Sequence, residues 1–118
     1  MLRYFRFIGT YASNEEHLDL ASLSACIENF YKIKTLSKER VQIEFNKLLL
    51  SKNVSFVFSI LKKHSLLNFL IDGLQEISKK SISSLNELPS EKFIRIAYLI
   101  KETKIKLVDL KKYISIWI

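Results

Sequence analysis

Glycine and proline are nearly missing from this chain, which has two of the first and one of the second in 118 residues. Hairpins draw on those residues for their tight turns, so a fold of short strands would lack punctuation and an all-α protein is expected. Cysteine is reduced to Cys26, which excludes an internal disulfide. With only His17 and His64 beside it, no ligand set for structural zinc remains. A protein so poor in cysteine suits a cytoplasmic setting. No apolar run approaches the roughly 18 to 20 residues that a membrane span needs, and the N-terminus does not follow the signal-peptide pattern, so no membrane partner is expected. What the chain has instead is 48% apolar residues, enough for the single core that this length allows.

Charge is the second abundance. The net value is +7, from 19 Lys and Arg against 12 Asp and Glu. It is uneven: residues 1–50 hold 7 basic and 6 acidic side chains, a net of +1, which leaves 12 and 6, a net of +6, for residues 51–118. A field of that sign draws polyanions such as RNA, because each phosphate contact releases condensed counterions. Against this, 15 of the 19 basic residues are Lys and the chain also holds 15 Ile, the joint bias of AT-rich coding, so a solvated lysine surface is the competing reading.

Helical periodicity recurs along the chain and predicts a bundle of about six or seven helices. Over residues 1–12, Met1, Leu2, Phe5, Ile8, Gly9 and Ala12 share one face at about 100° per residue. Tyr4, Phe7 and Tyr11 form a second apolar strip, leaving Arg3, Arg6 and Thr10 as a narrow polar ridge. This helix is expected to be nearly surrounded by protein, with its arginines directed into one groove. Ser13 to Glu16 has capping-box spacing and predicts a second helix running to about Tyr31. Its inward side would use Leu18, Leu20 or Ala21, Ala25, and Ile27 or Phe30.

Ser37 is the expected N-cap of a third helix, with Glu39 in its first turn. Val41, Phe45 and Leu48 form its apolar face, while Arg40, Glu44 and Lys47 run along another strip and allow an Arg40–Glu44 pair. Asn53 is placed to cap a fourth helix with Val54, Val57, Phe58 and Leu61 inward and Lys62, Lys63 and His64 as its basic last turn. Leu66 to Leu74 is a short apolar segment that Gly73 can close in a left-handed conformation. Residues 78–90 read as the longest loop or as a poorly formed helix. Ser90 would then cap a helix with Phe93, Ile94, Ala97 and Ile100 inward, and a last helix would cover about Lys106 to Ile118. Neither end has a polar approach: the chain finishes on Ile114, Ile116, Trp117 and Ile118, so both ends are expected to bury against a partner.

Two blocks carry a resemblance. Leu2-Arg3-Tyr4-Phe5-Arg6-Phe7 matches an "LRxxRF" helix, and Ser37-Lys38-Glu39-Arg40-Val41-Gln42-Ile43-Glu44-Phe45-Asn46-Lys47 matches "S-x-E-R-I-x-x-E-x-x-K" some 30 residues on. In this respect the chain resembles the neck of the bacterial tRNA nucleotidyltransferase (CCA-adding) and poly(A) polymerase family, with Leu48 to Ser51 and Ile60 to Leu67 similar to its leucine-rich helix and turn. The likeness covers residues 2–72. It implies a neck-like region over 1–72, a partial body-like region over 73–118, and one compact unit.

The same resemblance implies what is not in this sequence. The family's catalytic head, with a Gly-Ser and Asp-x-Asp that bind two metal ions and the triphosphate, would precede Met1. Mg2+ and CTP or ATP are therefore expected only in that head, and no catalytic or metal-binding residue is assigned here; Asp19 and Asp72 lack partner carboxylates. The implied role is to hold the acceptor end of tRNA, or another RNA 3′ end, beside a separately encoded head or with self-association through the apolar ends. Candidate RNA- or nucleotide-binding residues are Arg3, Arg6, Arg40, Lys47, Lys62 and Lys63, with Lys79, Lys80, Lys111 and Lys112 as further phosphate contacts. Arg3, Arg6 and Arg40 are expected to border one cleft.

Each group also has a structural reading. The arginines can pair with helix acids; Glu39, Arg40 and Glu44 can tie the third helix to its neighbours; His17 and His64 fit a plain surface; Cys26 fits a core filler. Trp117 and the tyrosines can stack bases or pack against helices. A protein-interaction module, or the remnant of a split gene, without RNA affinity is the alternative function. A helix-turn-helix DNA reader over 37–63 is disfavoured because Val54 to Lys63 offers few groups to read base edges.

Overall fold

The computed structural model describes residues 2–12, 14, 16, 18–71 and 73–103. Among these there are seven α-helices and no strand. They are α1 (Leu2–Tyr11), α2 (Leu20–Asn29), α3 (Lys38–Leu49), α4 (Val54–Lys63), α5 (Leu67–Leu70), α6 (Lys79–Ser84) and α7 (Lys92–Glu102). Short 3-10 segments extend the pattern: Phe30–Thr35 continues α2, Leu74–Glu76 follows α5, and Leu85–Glu87 continues α6. None of these helices is long and apolar enough to cross a membrane. The expected last helix with Trp117, Lys111 and Lys112 lies outside the described residues, as do His17, Asp72 and the Ser13 of the expected capping box.

Helix α4 is the central element and packs against α1, α3, α5 and α6. Its Val54, Val57, Phe58 and Leu61 are all fully buried, as the i, i+3, i+4, i+7 spacing predicts. Phe45, Leu48 and Leu49 of α3 and Phe5 and Ile8 of α1 complete this part of the core, with Phe45 and Phe58 rings 6.2 Å apart. Phe5 meets Phe30 edge-on at 5.5 Å, and Phe30 meets Phe69 at 5.9 Å. A single buried cluster runs from Phe5 to Leu99.

Gly9 sets how closely α1 approaches α4. A Cβ built there would lie 2.7 Å from the Ser51 Cβ and 3.2 Å from a Val57 methyl. The Gly9 carbonyl also accepts the Asn53 N–H at 2.8 Å, so the missing side chain allows α1 to receive the start of α4. Gly73 adopts φ 94°, in the left-handed region, and closes the apolar segment as anticipated.

The capping pattern departs from the sequence reading at three places. Ser37 does cap α3, accepting from the Arg40 N–H at 3.2 Å. Helix α2, however, begins at Leu20, where Asp19 accepts from the Ala21 and Ser22 N–H groups. Asn53 makes no side-chain cap; the Ser55 N–H is instead capped by Asn86 at 3.1 Å, from 31 residues away. Glu91 rather than Ser90 caps α7, accepting from the Ile94 N–H at 2.9 Å, while the Ser90 hydroxyl donates to the Leu50 carbonyl. A carboxylate one residue later is as good an acceptor for these orphan N–H groups, and tertiary packing chose between them.

Two helical faces are also corrected. In α2 only Leu23 is buried, Leu20 and the two alanines are exposed, and Cys26 and Ile27 are half-buried. The late start and the change to 3-10 geometry at Phe30 shift the phase of the stripe. In α7 the buried residues are Arg95, Ile96 and Leu99, while Phe93 and Ile94 are 50% and 43% exposed and Ala97 faces solvent. The reason is Arg95, whose guanidinium donates to the carbonyls of Leu49 at 2.6 Å, Leu88 at 3.1 Å and Pro89 at 3.2 Å. Those carbonyls need donors, and a charged fork that satisfies three at once is buried in preference to a phenylalanine. Residues 78–90 resolve as the short-helix alternative: Ser78 caps α6 by accepting from the Ser81 N–H at 3.1 Å.

Candidate nucleic-acid interface

A depression lies between the end of α4 and α6. Its volume is about 670 Å³, and Ser59, Lys62, Lys63, Gln75, Lys79 and Ser83 line it above Ile82. Side-chain bonds hold the two walls apart and in register. At one end Lys62 donates its ammonium to the Gln75 carbonyl at 2.8 Å, and the Gln75 amide donates back to the Lys62 carbonyl at 2.8 Å. At the other end the Ser55 hydroxyl donates to the Ile82 carbonyl at 2.7 Å. Asn68 fixes the connecting turn by accepting from the Gly73 and Gln75 N–H groups at 3.1 and 2.9 Å.

Three ammonium groups therefore rim one cavity with two hydroxyls at hand, and among the described residues no carboxylate lines it. An ammonium carries three donors, so Lys62 keeps two beyond its bond to Gln75. Such a rim suits phosphate oxygens, which accept several hydrogen bonds and carry the complementary charge. Lys62 and Lys63 were legible as a basic last turn; Gln75, Ser59 and Ser83 were not. Gln75 is missed because a lone glutamine carries no periodic signal, although it joins three segments, accepting also from the Leu67 N–H at 3.3 Å.

The remaining site residues fall in two places. Arg3 and Arg6 line a groove of about 230 Å³ on α1 together with Phe7, Thr10 and Tyr11. The arginines share one groove as expected, but α1 is not surrounded: Phe7 is 58% and Tyr11 70% exposed, with their rings 4.8 Å apart. Arg40 does not line this groove; it is exposed in the first turn of α3, so the structure does not gather the three arginines around one cleft. Glu44 is engaged by Arg6 at 3.5 Å and Lys47 at 3.7 Å rather than by Arg40. The close packing of α1 on α3 brings Arg6 to the carboxylate, and the 3.5 Å contact is an ion pair without a hydrogen bond to that oxygen. Lys80 is exposed on α6 outside the cavity.

Titration behaviour elsewhere is structural. Burial pushes the Tyr4 phenol up, with Cys26 and Asp19 adding to the effect, and burial also pushes the Cys26 thiol up. A hydrogen bond from the Ser22 hydroxyl, joined by backbone N–H groups, holds the Asp19 carboxyl below its usual range. Among the described residues no group of three or more His, Cys, Asp and Glu side chains is placed to hold a metal ion.

Among the described residues the protein is a strand-free helical unit with a lysine-rimmed cavity. The family model described as the probable RNA and SrmB-binding site of polymerase A matches residues 17–78. Since this is more than half of the chain, the protein belongs to that family, an RNA-binding region of a polymerase A-type protein. The matched residues contain the Ser37 to Lys47 block and the Ser59, Lys62, Lys63 and Gln75 of the cavity, with Lys79, Ile82 and Ser83 beyond. No curated protein and no solved structure matches the chain.

Proposed function

We propose that this region grips the acceptor end of tRNA, or another RNA 3′ end, by its phosphates, while nucleotidyl transfer is carried out by a separate catalytic head. The observation that carries this reading is the cavity of Lys62, Lys63 and Lys79, whose α4 wall and Gln75 lie inside the matched RNA-binding region and whose α6 wall begins one residue beyond it. The cations come from two helices whose spacing is set by the Lys62–Gln75 and Ser55–Ile82 bonds, so they are presented together. Arg3, Arg6, Arg40 and Lys47 form a second, weaker set in this reading, since Arg6 and Lys47 are already drawn to Glu44.

A salt titration of tRNA binding is the test. Three phosphate contacts give a log–log slope of roughly −2 to −3. The pair Lys63→Glu and Lys79→Glu should weaken binding and flatten that slope. Lys62 is left intact in this variant because it also braces the fold. Absence of binding at low salt would reject the reading in favour of a helical protein-interaction module, which the outward Phe93 and Ile94 of α7 and the family's second named partner, SrmB, support.

A further inference from the structure

Four depressions on this molecule share walls in sequence. The Arg3–Arg6 groove and a smaller pocket of about 120 Å³ have Phe7 and Tyr11 in common. That pocket shares Leu18 with a depression of about 220 Å³ lined by Leu23, Ile27 and Ile60, and this one shares Lys63 with the lysine cavity. The chemistry along this line changes in order: guanidinium groups, two exposed aromatic rings, an aliphatic floor, then ammonium groups.

We infer that these depressions form one track for unpaired RNA, with phosphates held at the arginine and lysine ends and bases laid on Phe7, Tyr11 and the aliphatic floor between them. The inference rests on the RNA-binding reading above and adds to it the single-stranded form of the ligand and the α1 groove as its second end. A duplex keeps its base faces stacked inside and meets a protein through its backbone, so it has no use for exposed rings; an unpaired strand does. Phe7 and Tyr11 are mostly open to solvent, and Arg3 and Arg6 flank them. The middle of the track suits bases rather than phosphates for a second reason. Asp19 lines it, with its carboxylate directed to the Ala21 and Ser22 N–H groups and the Ser22 hydroxyl.

The test uses the whole chain and two RNA probes, a blunt duplex and the same duplex with about four to eight unpaired 3′ nucleotides. The tail should tighten binding. The double variant Phe7→Leu with Tyr11→Leu, which keeps apolar surface but removes the rings, should cancel that gain, weakening tailed RNA about 5- to 150-fold for each lost base stack. Blunt-duplex affinity should stay unchanged in that variant. Arg3→Ala should lower the salt slope for tailed RNA by about 0.7. Equal affinity for blunt and tailed RNA, or a tail gain that survives the leucine variant, overturns the track and leaves the lysine cavity standing. A leucine variant that alters self-association in sedimentation but not RNA affinity also overturns it, marking the rings as a protein contact. Failure of both probes to bind rejects the cavity and the track together.

Discussion

Helices α4 and α7 are similar in length and both are rich in apolar residues, yet only α7 buries a charged side chain, Arg95, beside its apolar Ile96 and Leu99. Helix α4 turns Val57, Phe58 and Leu61 into the core and leaves Ser59 and its lysines to line a cavity. Helix α7 buries a guanidinium and leaves Phe93 and Ile94 half open, with Lys92 lying over the Phe93 ring at 5.1 Å. The difference lies in what faces each helix. Other side chains meet α4, whereas α7 crosses the end of α3 and the 88–89 turn, where backbone carbonyls need donors. Apolar burial is the default outcome, and an orphaned carbonyl is a strong enough reason to displace it.

The largest effect should come from Phe58→Ala, which leaves a cavity at the centre of the core and costs about 3–5 kcal/mol. Phe93→Ala should change stability by less than about 0.5 kcal/mol in the same denaturant titration. Equal losses would break the comparison between the two helices. Arg95→Ala should destabilise by about 3 kcal/mol, because the Leu49 and Leu88 carbonyls lose this donor at about 1–3 kcal/mol for each orphan, while the Pro89 carbonyl keeps the Glu91 N–H. Arg95→Lys should recover only part, since an ammonium cannot span the three acceptors as a fork does. If Arg95→Met proved neutral, the guanidinium would be incidental to how α7 docks.

Gly9→Ala sharpens the comparison from the α4 side. Helix propensity alone would favour alanine by about 1 kcal/mol. The added Cβ meets the Ser51 Cβ, which cannot swing aside as a long side chain does, so a net loss of about 1–3 kcal/mol is expected in thermal unfolding. The smallest effect concerns α2. The Asp19 carboxyl is held below its usual range in the folded protein, so its cap is fully present above the ordinary Asp value of about 4 and is lost as pH falls through the lowered one. Protection of the Ala21 and Ser22 amides from hydrogen exchange, taken relative to the intrinsic rate at each pH, should therefore fall only on acidification below about pH 4. Asp19→Asn, which retains an acceptor, should remove that pH dependence.

Helix existence was legible almost throughout, and for α3 and α4 so were the boundary and the inward face. Those two helices carry an uninterrupted apolar stripe that no other choice of face could bury. For α2 and α7 the stripe is broad or shared with a polar group, and several phases fit equally well. The two lysines at the end of α4 were visible as charge, but their assembly with Lys79 and Gln75 into one cavity joins positions up to 17 apart in number and leaves no periodic trace. The expected Arg40–Glu44 pair failed for a related reason: spacing along α3 permits it, but α1 brings Arg6 to the same carboxylate.

By itself the amino-acid sequence determined the helical class, the α3–α4 core and, through its Ser37 to Lys47 block, kinship with RNA-binding regions of polymerase A. Those features rest on interactions within one helix or on scarcity of turn residues, which are local properties of the chain. Tertiary structure alone decided that Arg95 is buried, that Phe7 and Tyr11 stay open, and that Lys62, Lys63 and Lys79 meet around one space. Each of these depends on which backbone groups or side chains a second element brings within hydrogen-bonding or packing range, and no single segment holds that information.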